Sequence, residues 1–567
     1  MKSSSEQYPV ALAYTEMWMG YSEDVYLLKT NNSDDKSVEL ALTRLYDGKQ
    51  DYGQGQVSIF VHDTFENRNR WLREHEDLLK TLLKEGEYLE NGPGASQLYN
   101  ASKISGRNKN GLGIGVFNAI NAAQYGTAVS TLDQSKREVL TSPLTNYNVM
   151  VFDQNLKNNS SVTFTNTNVW RAGTFYDANV TALNVNINTA DNNYNFNAKG
   201  ILSAQLDAQN TLGHNLNLNL QKQRGSLIGG IGYLQESDTY DPNDLGFNYN
   251  NNRKIIEARI AYREFSPKWE KLMKWNTNLS FAQSYLYAPN NFTSSQGNLS
   301  FFMVSKKFNA TGGNIGTSFV ESKDYFEPRT WGAVFNIPTY TYVNYWLSTN
   351  YQRKIAIDMG VNYVGYAQSA WNQVAYNFNP RLRLTDAFFL TYGLEKELQQ
   401  HSLGYAIAFA EPVQNVDGIL FGERDRNTTI QSLSVDYILT NRMSTTLRLR
   451  HYRSVLNYAK YFLLEESGYL NELVSFNGLT ANNESAFDVN YNAFTIDFMY
   501  RWVFMPGSEI NIVWKNAVFN LKNDVDIAYW QDLSQLLQNS ALNSFSFKLI
   551  YWLDAQRLQK DRNNLPR

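Results

Sequence analysis

Cysteine is absent from the 567 residues. Disulfides, thiol nucleophiles, thiolate metal sites and lipid anchoring through cysteine are therefore excluded. Histidine is scarce: His62, His75, His214, His401 and His451 are the five, and they form neither an HExxH pattern nor a close ligand cluster. Charge of one sign is not in excess, with 51 Lys and Arg against 54 Asp and Glu. The net charge of -3 gives no general pull toward nucleic acid. Long apolar runs are missing too, and nothing approaches the roughly 18 residues that a membrane-crossing helix needs. The opening MKSSSEQYPV has no apolar core of a signal peptide, so a reading that requires export also requires a leader already removed. No GxSxG, P-loop or dinucleotide fingerprint occurs. Gly111-Leu112-Gly113-Ile114-Gly115 alternates glycine with apolar residues as a closely packed strand does. No carboxylate spacing marks a glycosidase dyad. No catalytic residue, metal or cofactor is expected from these patterns, which leaves enzymatic activity without a positive signal.

What is present is alternation. Phe494, Ile496, Phe498, Tyr500 and Trp502 stand between Thr495, Asp497 and Arg501, and Phe545, Phe547, Leu549 and Tyr551 enclose Ser546 and Lys548. Leu183, Val185 and Ile187 alternate with Asn184, Asn186 and Asn188, and Leu216, Leu218 and Leu220 with Asn215, Asn217 and Asn219. Period two over about ten residues is the signature of a strand with one apolar and one polar face. The pattern recurs from residue 97 to the C-terminus, far beyond the roughly 200–250 residues of a single sandwich. It predicts an all-β fold: a large closed antiparallel transmembrane β-barrel of 18–22 strands, lipid outside and water or a plug within. The 37 Tyr and 12 Trp fit girdles at a lipid–water boundary, and the mean hydropathy of -0.45 is compatible because half of each strand is polar. Longer loops are expected at 236–253, 288–296 and 467–485, and a tight turn at Pro506-Gly507.

Residues 1–96 read differently, as a small N-terminal periplasmic or lumenal segment before a barrel of 97–567. Short β-like runs at 10–14, 25–28, 38–45 and 57–61 precede a helical stripe. Trp71, Leu72, His75, Leu78, Leu79, Leu82 and Leu83 fall on one helical face. Trp71, Leu72, Leu78, Leu79, Leu82 and Leu83 are its candidate partner-docking residues; packing against the barrel is the alternative.

Charges concentrate between 380 and 455. Arg381 and Arg383 share a face, Glu423, Arg424, Asp425 and Arg426 form a mixed run, and Arg448 and Arg450 point together. With Asp436, Asp497 and Arg501, and with Glu509 and Lys515 beside them, they are candidates to line the lumen, because a charge facing lipid costs a few kcal/mol. A paired structural network in the wall is the plainer reading of the same residues.

Several stretches carry a family resemblance. They are the run 345–353 (YWLSTNYQR), Phe421-Gly422-Glu423-Arg424-Asp425, Tyr500-Arg501-Trp502 with Pro506-Gly507-Ser508-Glu509 and Val513-Trp514, and the ending SFSFKLIYWLD at 544–554. Upstream, Ala101-Ser102-Lys103-Ile104-Ser105-Gly106-Arg107 and 108–118 join them. Over roughly residues 97–560 the chain resembles the DUF5916 family of outer-membrane barrels of Bacteroidota. The resemblance implies a Gram-negative outer-membrane location and carries no catalytic residues across. Many relatives have an N-terminal carbohydrate-binding-like sandwich, whose full length is not found in residues 1–90.

The leading expectation is a transport conduit or a subunit of an envelope complex, with outer-membrane lipid and other envelope proteins as partners. Two alternatives stay open. One is a plugged, structural or partner-binding barrel. The other is an outer-membrane protein that binds or processes a glycan, with a small solute or glycan as ligand.

Overall fold

A computed structural model describes the backbone of the strands within residues 13–61, residues 83–84 and 87–91, and residues 97–551 apart from 249, 331 and 409–415. Four strands, β1 (Ala13–Trp18), β2 (Ser22–Thr30), β3 (Val38–Tyr46) and β4 (Gln56–Val61), pair in the order β3-β2-β1-β4. The expected helix lies outside the described residues except at Leu83, which is half-buried in a bend. A three-stranded sheet joins β5 (Glu87–Asn91), β8 (Gln124–Ser130) and β9 (Lys136–Ser142) in the order β5-β8-β9. β5 precedes residue 96, the expected boundary, yet pairs across it with β8, and Arg137 binds Glu87 at 2.6 Å.

The main sheet begins with β6 (Leu98–Arg107), β7 (Leu112–Asn121), β10 (Thr145–Asn155), β11 (Ser161–Arg171), β12 (Asp177–Asn188), β13 (Tyr194–Leu206) and β14 (Thr211–Lys222). It continues through β15 (Leu227–Glu236), β16 (Arg253–Glu264), β17 (Leu272–Leu286), β18 (Phe292–Ser305) and β19 (Ala310–Ser318). A short ribbon of β20 (Ser322–Asp324) and β21 (Phe335–Ile337) interrupts it. Then follow β22 (Tyr340–Ser348), β23 (Ile355–Tyr366), β24 (Asn372–Arg383), β25 (Phe388–Tyr405), β26 (Leu420–Thr440), β27 (Met443–Leu464), β28 (Leu470–Glu472), β29 (Val489–Met505), β30 (Ser508–Lys522) and β31 (Leu542–Ile550). Among the described residues one helix, α1 (Tyr529–Leu536), sits between β30 and β31.

Alternation makes these strands, and asparagine turns many of them. Asn158 and Asn159 between β10 and β11, Asn192 between β12 and β13, and Asn210 between β13 and β14 all have positive φ, which asparagine tolerates better than most residues. Gly507, at φ 76°, makes the expected turn from β29 to β30. The expected loop at 288–296 is shorter, because β18 begins at Phe292.

The twenty-two strands of the main sheet follow the cyclic order of a barrel, from β6 through β31 and back. Antiparallel residue-by-residue registers lace the run from β6 to β31, with β27 pairing both β28 and β29. The return from β31 to β6 differs. The two strands are neighbours in the closed order, yet every residue of β6 and of β31 is exposed. Interior strands such as β14 instead mix buried and half-buried positions.

The main sheet closes on itself with twenty-two strands, within the expected 18–22, while the transmembrane setting attached to that expectation is not given by the strand order. The chain forms one very long antiparallel sheet whose first and last strands, β6 and β31, are neighbours in the closed order. Closure alone does not establish the outer-membrane location, the lipid partner or the transport conduit, since a closed sheet satisfies its backbone N–H and C=O groups in water as well as in hydrocarbon. Those three expectations therefore do not follow from the strand order. Among the described residues no helix is long and apolar enough to cross a membrane, which is a statement about helices alone.

One face of the sheet is polar and the other apolar. Leu183, Leu202, Ile231, Ile256, Leu279 and Tyr345 are exposed on the apolar face. Apolar surface of this extent marks a contact face. Part of the apolar packing gathers in a small cluster at the far end of β25–β29, where Ala406, Tyr461, Phe476, Ala486 and Phe487 are buried together.

Candidate functional site

The polar face over β12–β16 is built from amides. Asn188 lies opposite Asn195, Asn195 opposite Gln221, Gln221 opposite Gly230, and Gly230 opposite Arg259. One residue-pair along, Asn186, Asn197, Asn219, Gly232 and Glu257 form a second row. Because side chains on one face recur every second residue, both rows project to the same side. Asn195 Nδ2 donates to Asn186 Oδ1 at 2.7 Å and to Asn188 Oδ1 at 3.0 Å, and Asn197 Nδ2 to Asn184 Oδ1 at 3.1 Å. Gln221 Nε2 donates to Asn195 Oδ1 at 3.0 Å, and Arg259 donates to Gln221 Oε1.

Glycine makes the room. A Cβ on Gly232 would stand 2.6 Å from Glu257 Oε1 and 2.8 Å from Asn219 Oδ1. With only hydrogen there, Glu257 and Asn219 close in from both sides. The resulting cavity holds about 390 Å³ and is lined by Asn186, Asn195, Asn197, Asn219, Gln221, Glu257 and Arg259, with Leu220, Gly230 and Ile231 at its margin.

Each amide offers two donor hydrogens and a carbonyl acceptor, and the internal ladder uses only part of that capacity. The one carboxylate, Glu257, is matched by one guanidinium, Arg259. Such a lining suits a ligand with many mixed donors and acceptors and no net charge. It holds no second carboxylate, so the pair required for glycoside hydrolysis is missing from it. Among the described residues no three His, Asp or Glu side chains gather to hold a metal ion.

The charged residues read from the sequence lie elsewhere, on β24–β30. Arg381, Thr391, Ser434, Arg448, Asp497 and Lys515 stand directly opposite one another in a single row on the polar face. Arg381 reaches Asp358 at 3.3 Å and lies over the Tyr351 ring, and Arg383 donates to the Tyr351 carbonyl at 3.0 Å. Asp436 accepts from Thr446 at 2.6 Å, and Arg501 binds Glu509 through Nε at 2.8 Å.

The mixed run 423–426 splits. Arg426 pairs with Glu397 at 2.7 Å, whereas Arg424 turns to Tyr458 at 3.1 Å and to the half-buried Glu327 at 3.8 Å. Glu423 and Asp425 both serve His401, the first at its ring Nδ1 (2.8 Å) and the second at its backbone N–H (2.8 Å). Ordinary alternation is the cause, because Glu423 and Asp425 fall on one face of β26 and Arg424 and Arg426 on the other. Arg450 faces Glu395, whose carboxyl burial pushes up to about 7, Arg450 opposing the rise and Glu397 adding to it. The docking candidates Trp71, Leu72, Leu78, Leu79 and Leu82 lie outside the described residues.

Sequence reasoning noticed the alternating asparagines but used them only as strand markers, and it passed over Glu257 and Arg259. The available signal was amide alternation on consecutive strands followed by Gly229-Gly230 and Gly232, a place where facing side chains need space.

With this geometry described, comparison assigns the family. The chain matches the profile of a domain of unknown function, DUF5916, over residues 73–562. It belongs to the DUF5916 family. No curated protein matches it. Membership in DUF5916 agrees with the resemblance in the motifs at 345–353, 500–514 and 544–554, while the outer-membrane location attached to that resemblance is not carried by the family match.

Proposed function

We propose that the chain binds a neutral glycan on the polar face over β12–β16. The observation that carries this is the 390 Å³ cavity, with five amides and a compensating Glu257–Arg259 pair in its lining. Sugar hydroxyls are donors and acceptors at once, and amides answer both functions from one side chain. A fixed anion would meet Glu257 and a fixed cation Arg259, so neither is favoured over a neutral polyol. An apolar ligand would leave the amides unpaired at about 1–3 kcal/mol each. Binding without cleavage is the reading, because one carboxylate cannot act as both acid and base partner.

The test is a glycan array probed with the purified chain, followed by calorimetry on the glycans retained. Neutral saccharides should bind, and Gly232→Val, which fills the space between Glu257 and Asn219, should abolish the heat. Retention of charged glycans only, or unchanged affinity in Gly232→Val, would overturn the assignment.

A further inference from the structure

We infer that the site is a trough for an oligosaccharide, ending on a tyrosine platform formed by Tyr342 and Tyr340. This rests on the glycan reading and extends it along the sheet.

The register carries the argument. Arg259 at the cavity's edge stands opposite Ser280, Ser280 opposite Asn298, Asn298 opposite Gly316, and Gly316 opposite Tyr342. The neighbouring row runs from Glu257 through Ala282 and Gln296 to Ser318. Between the cavity and the tyrosines the floor is therefore made of small residues and two further amides.

The far end is flat for a specific reason. A Cβ on Gly316 would lie 2.2 Å from Tyr342 Cζ, so the ring lies across the glycine, where no other residue would leave room. Its hydroxyl donates to Asn298 Oδ1 at 3.1 Å, and Asn314 Nδ2 donates to the same oxygen at 3.0 Å. Tyr340 sits beside it, ring centroids 6.5 Å apart and planes 29° apart, with its hydroxyl donating to Gln296 Oε1 at 3.3 Å. Both rings are half-buried and pinned by their hydroxyls.

A pinned ring presents its negative π-face, which suits the C–H-rich face of a pyranose. β16 and β22 are four strand steps apart, about 19 Å along the sheet at about 4.8 Å per step. One sugar cannot reach from the cavity to the platform. A chain of several can, with its edge hydroxyls against Ser280, Asn298 and Gln296.

The experiment measures calorimetric affinity of the full chain for two-unit and six-unit members of the malto, cello and manno series. In the series that binds, the six-unit saccharide should bind at least about tenfold more tightly, one extra subsite at about 1.4 kcal/mol. Tyr342→Ala should reduce the six-unit affinity to that of the two-unit saccharide and leave the latter unchanged. Tyr342→Phe, which keeps the ring, should retain most of the difference. Equal affinity for both lengths in the unaltered chain would overturn the trough while leaving the cavity assignment in place. So would an equal loss for both lengths in Tyr342→Ala. Failure of every saccharide of either length would overturn the glycan reading and the trough together.

Discussion

Two polar networks lie on opposite faces of the same sheet and end in opposite states. The amide ladder over β12–β16 surrounds a cavity and keeps hydrogen-bonding capacity in reserve. The second network is at the far end of β26–β30, on the side of the sheet that carries Leu447 and Leu449, where α1 folds back over the strands. There Asp532 is 1% exposed and accepts from Arg453 at 2.6 Å, Asn490 at 2.8 Å and Lys522 at 3.0 Å. Tyr529 reaches Gln431 at 2.8 Å, and His451 Nε2 lies 2.7 Å from Asn492 Oδ1. Burial alone would raise the Asp532 carboxyl, but its donors together hold it below its ordinary range. Burial keeps His451 below its ordinary value. A polar cluster covered by its own chain is occupied by that chain and serves the fold. One left open beside glycine is available to a ligand.

The largest effect should come from breaking the covered network. Asp532→Ala leaves Arg453 buried without its carboxylate and should destabilise by about 3–5 kcal/mol, read as a fall in the denaturation midpoint. Glycan affinity should change little while the chain stays folded. A variant as stable as the parent would show that α1 does not hold this end of the sheet.

The open network should show the reverse. Gly232→Val should lower saccharide affinity by at least about tenfold, about 1.4 kcal/mol, with a smaller change in stability. Loss of folding rather than of binding would mean that the ladder is structural after all, and the contrast between the two regions would disappear.

A third test uses pH. The raised carboxyl of Glu395 binds its proton more tightly in the folded than in the unfolded state. Its neutral form is favourable at low pH, and that stability is lost as pH rises from about 4.5 to about 7. Glu395→Gln should flatten this part of the profile and stabilise the chain at pH 8 by about 1 kcal/mol, less than the full shift because the side chain is only half-buried. An unchanged profile would assign the carboxyl to bulk water.

The smallest effect belongs to His401, half exposed and raised by Glu423. Its folded value exceeds the unfolded one, so the pair's contribution is present below about 6.5 and lost as pH rises through the folded value. His401→Gln should cost at most about 0.5 kcal/mol at pH 5.5 and nothing measurable at pH 9. A larger cost at pH 9 would point to the positive-φ backbone at His401 instead of the ion pair.

Much of the fold was legible because a strand's alternation is local. Leu216, Leu218 and Leu220 against Asn215, Asn217 and Asn219 place β14 and its two faces without any neighbour, and the turn at Gly507 follows from its own dipeptide. The joint between β6 and β31 was not legible, since it depends on two segments more than four hundred positions apart and on the curl accumulated between them. The convergence of Glu423 and Asp425 on His401 was hidden for a related reason: the irregular pairing between Gln399 and Ser402 leaves no mark in residue type.

The sequence by itself determined an antiparallel β protein with one polar and one apolar face, because side-chain period two is a property of each strand alone. Only the tertiary structure decided that Asn197, Gln221, Glu257 and Arg259 share a cavity and that Tyr342 lies flat across Gly316. Those placements depend on register, which sets side by side residues that are distant along the chain, and a shift of one residue would have turned every one of them to the other face.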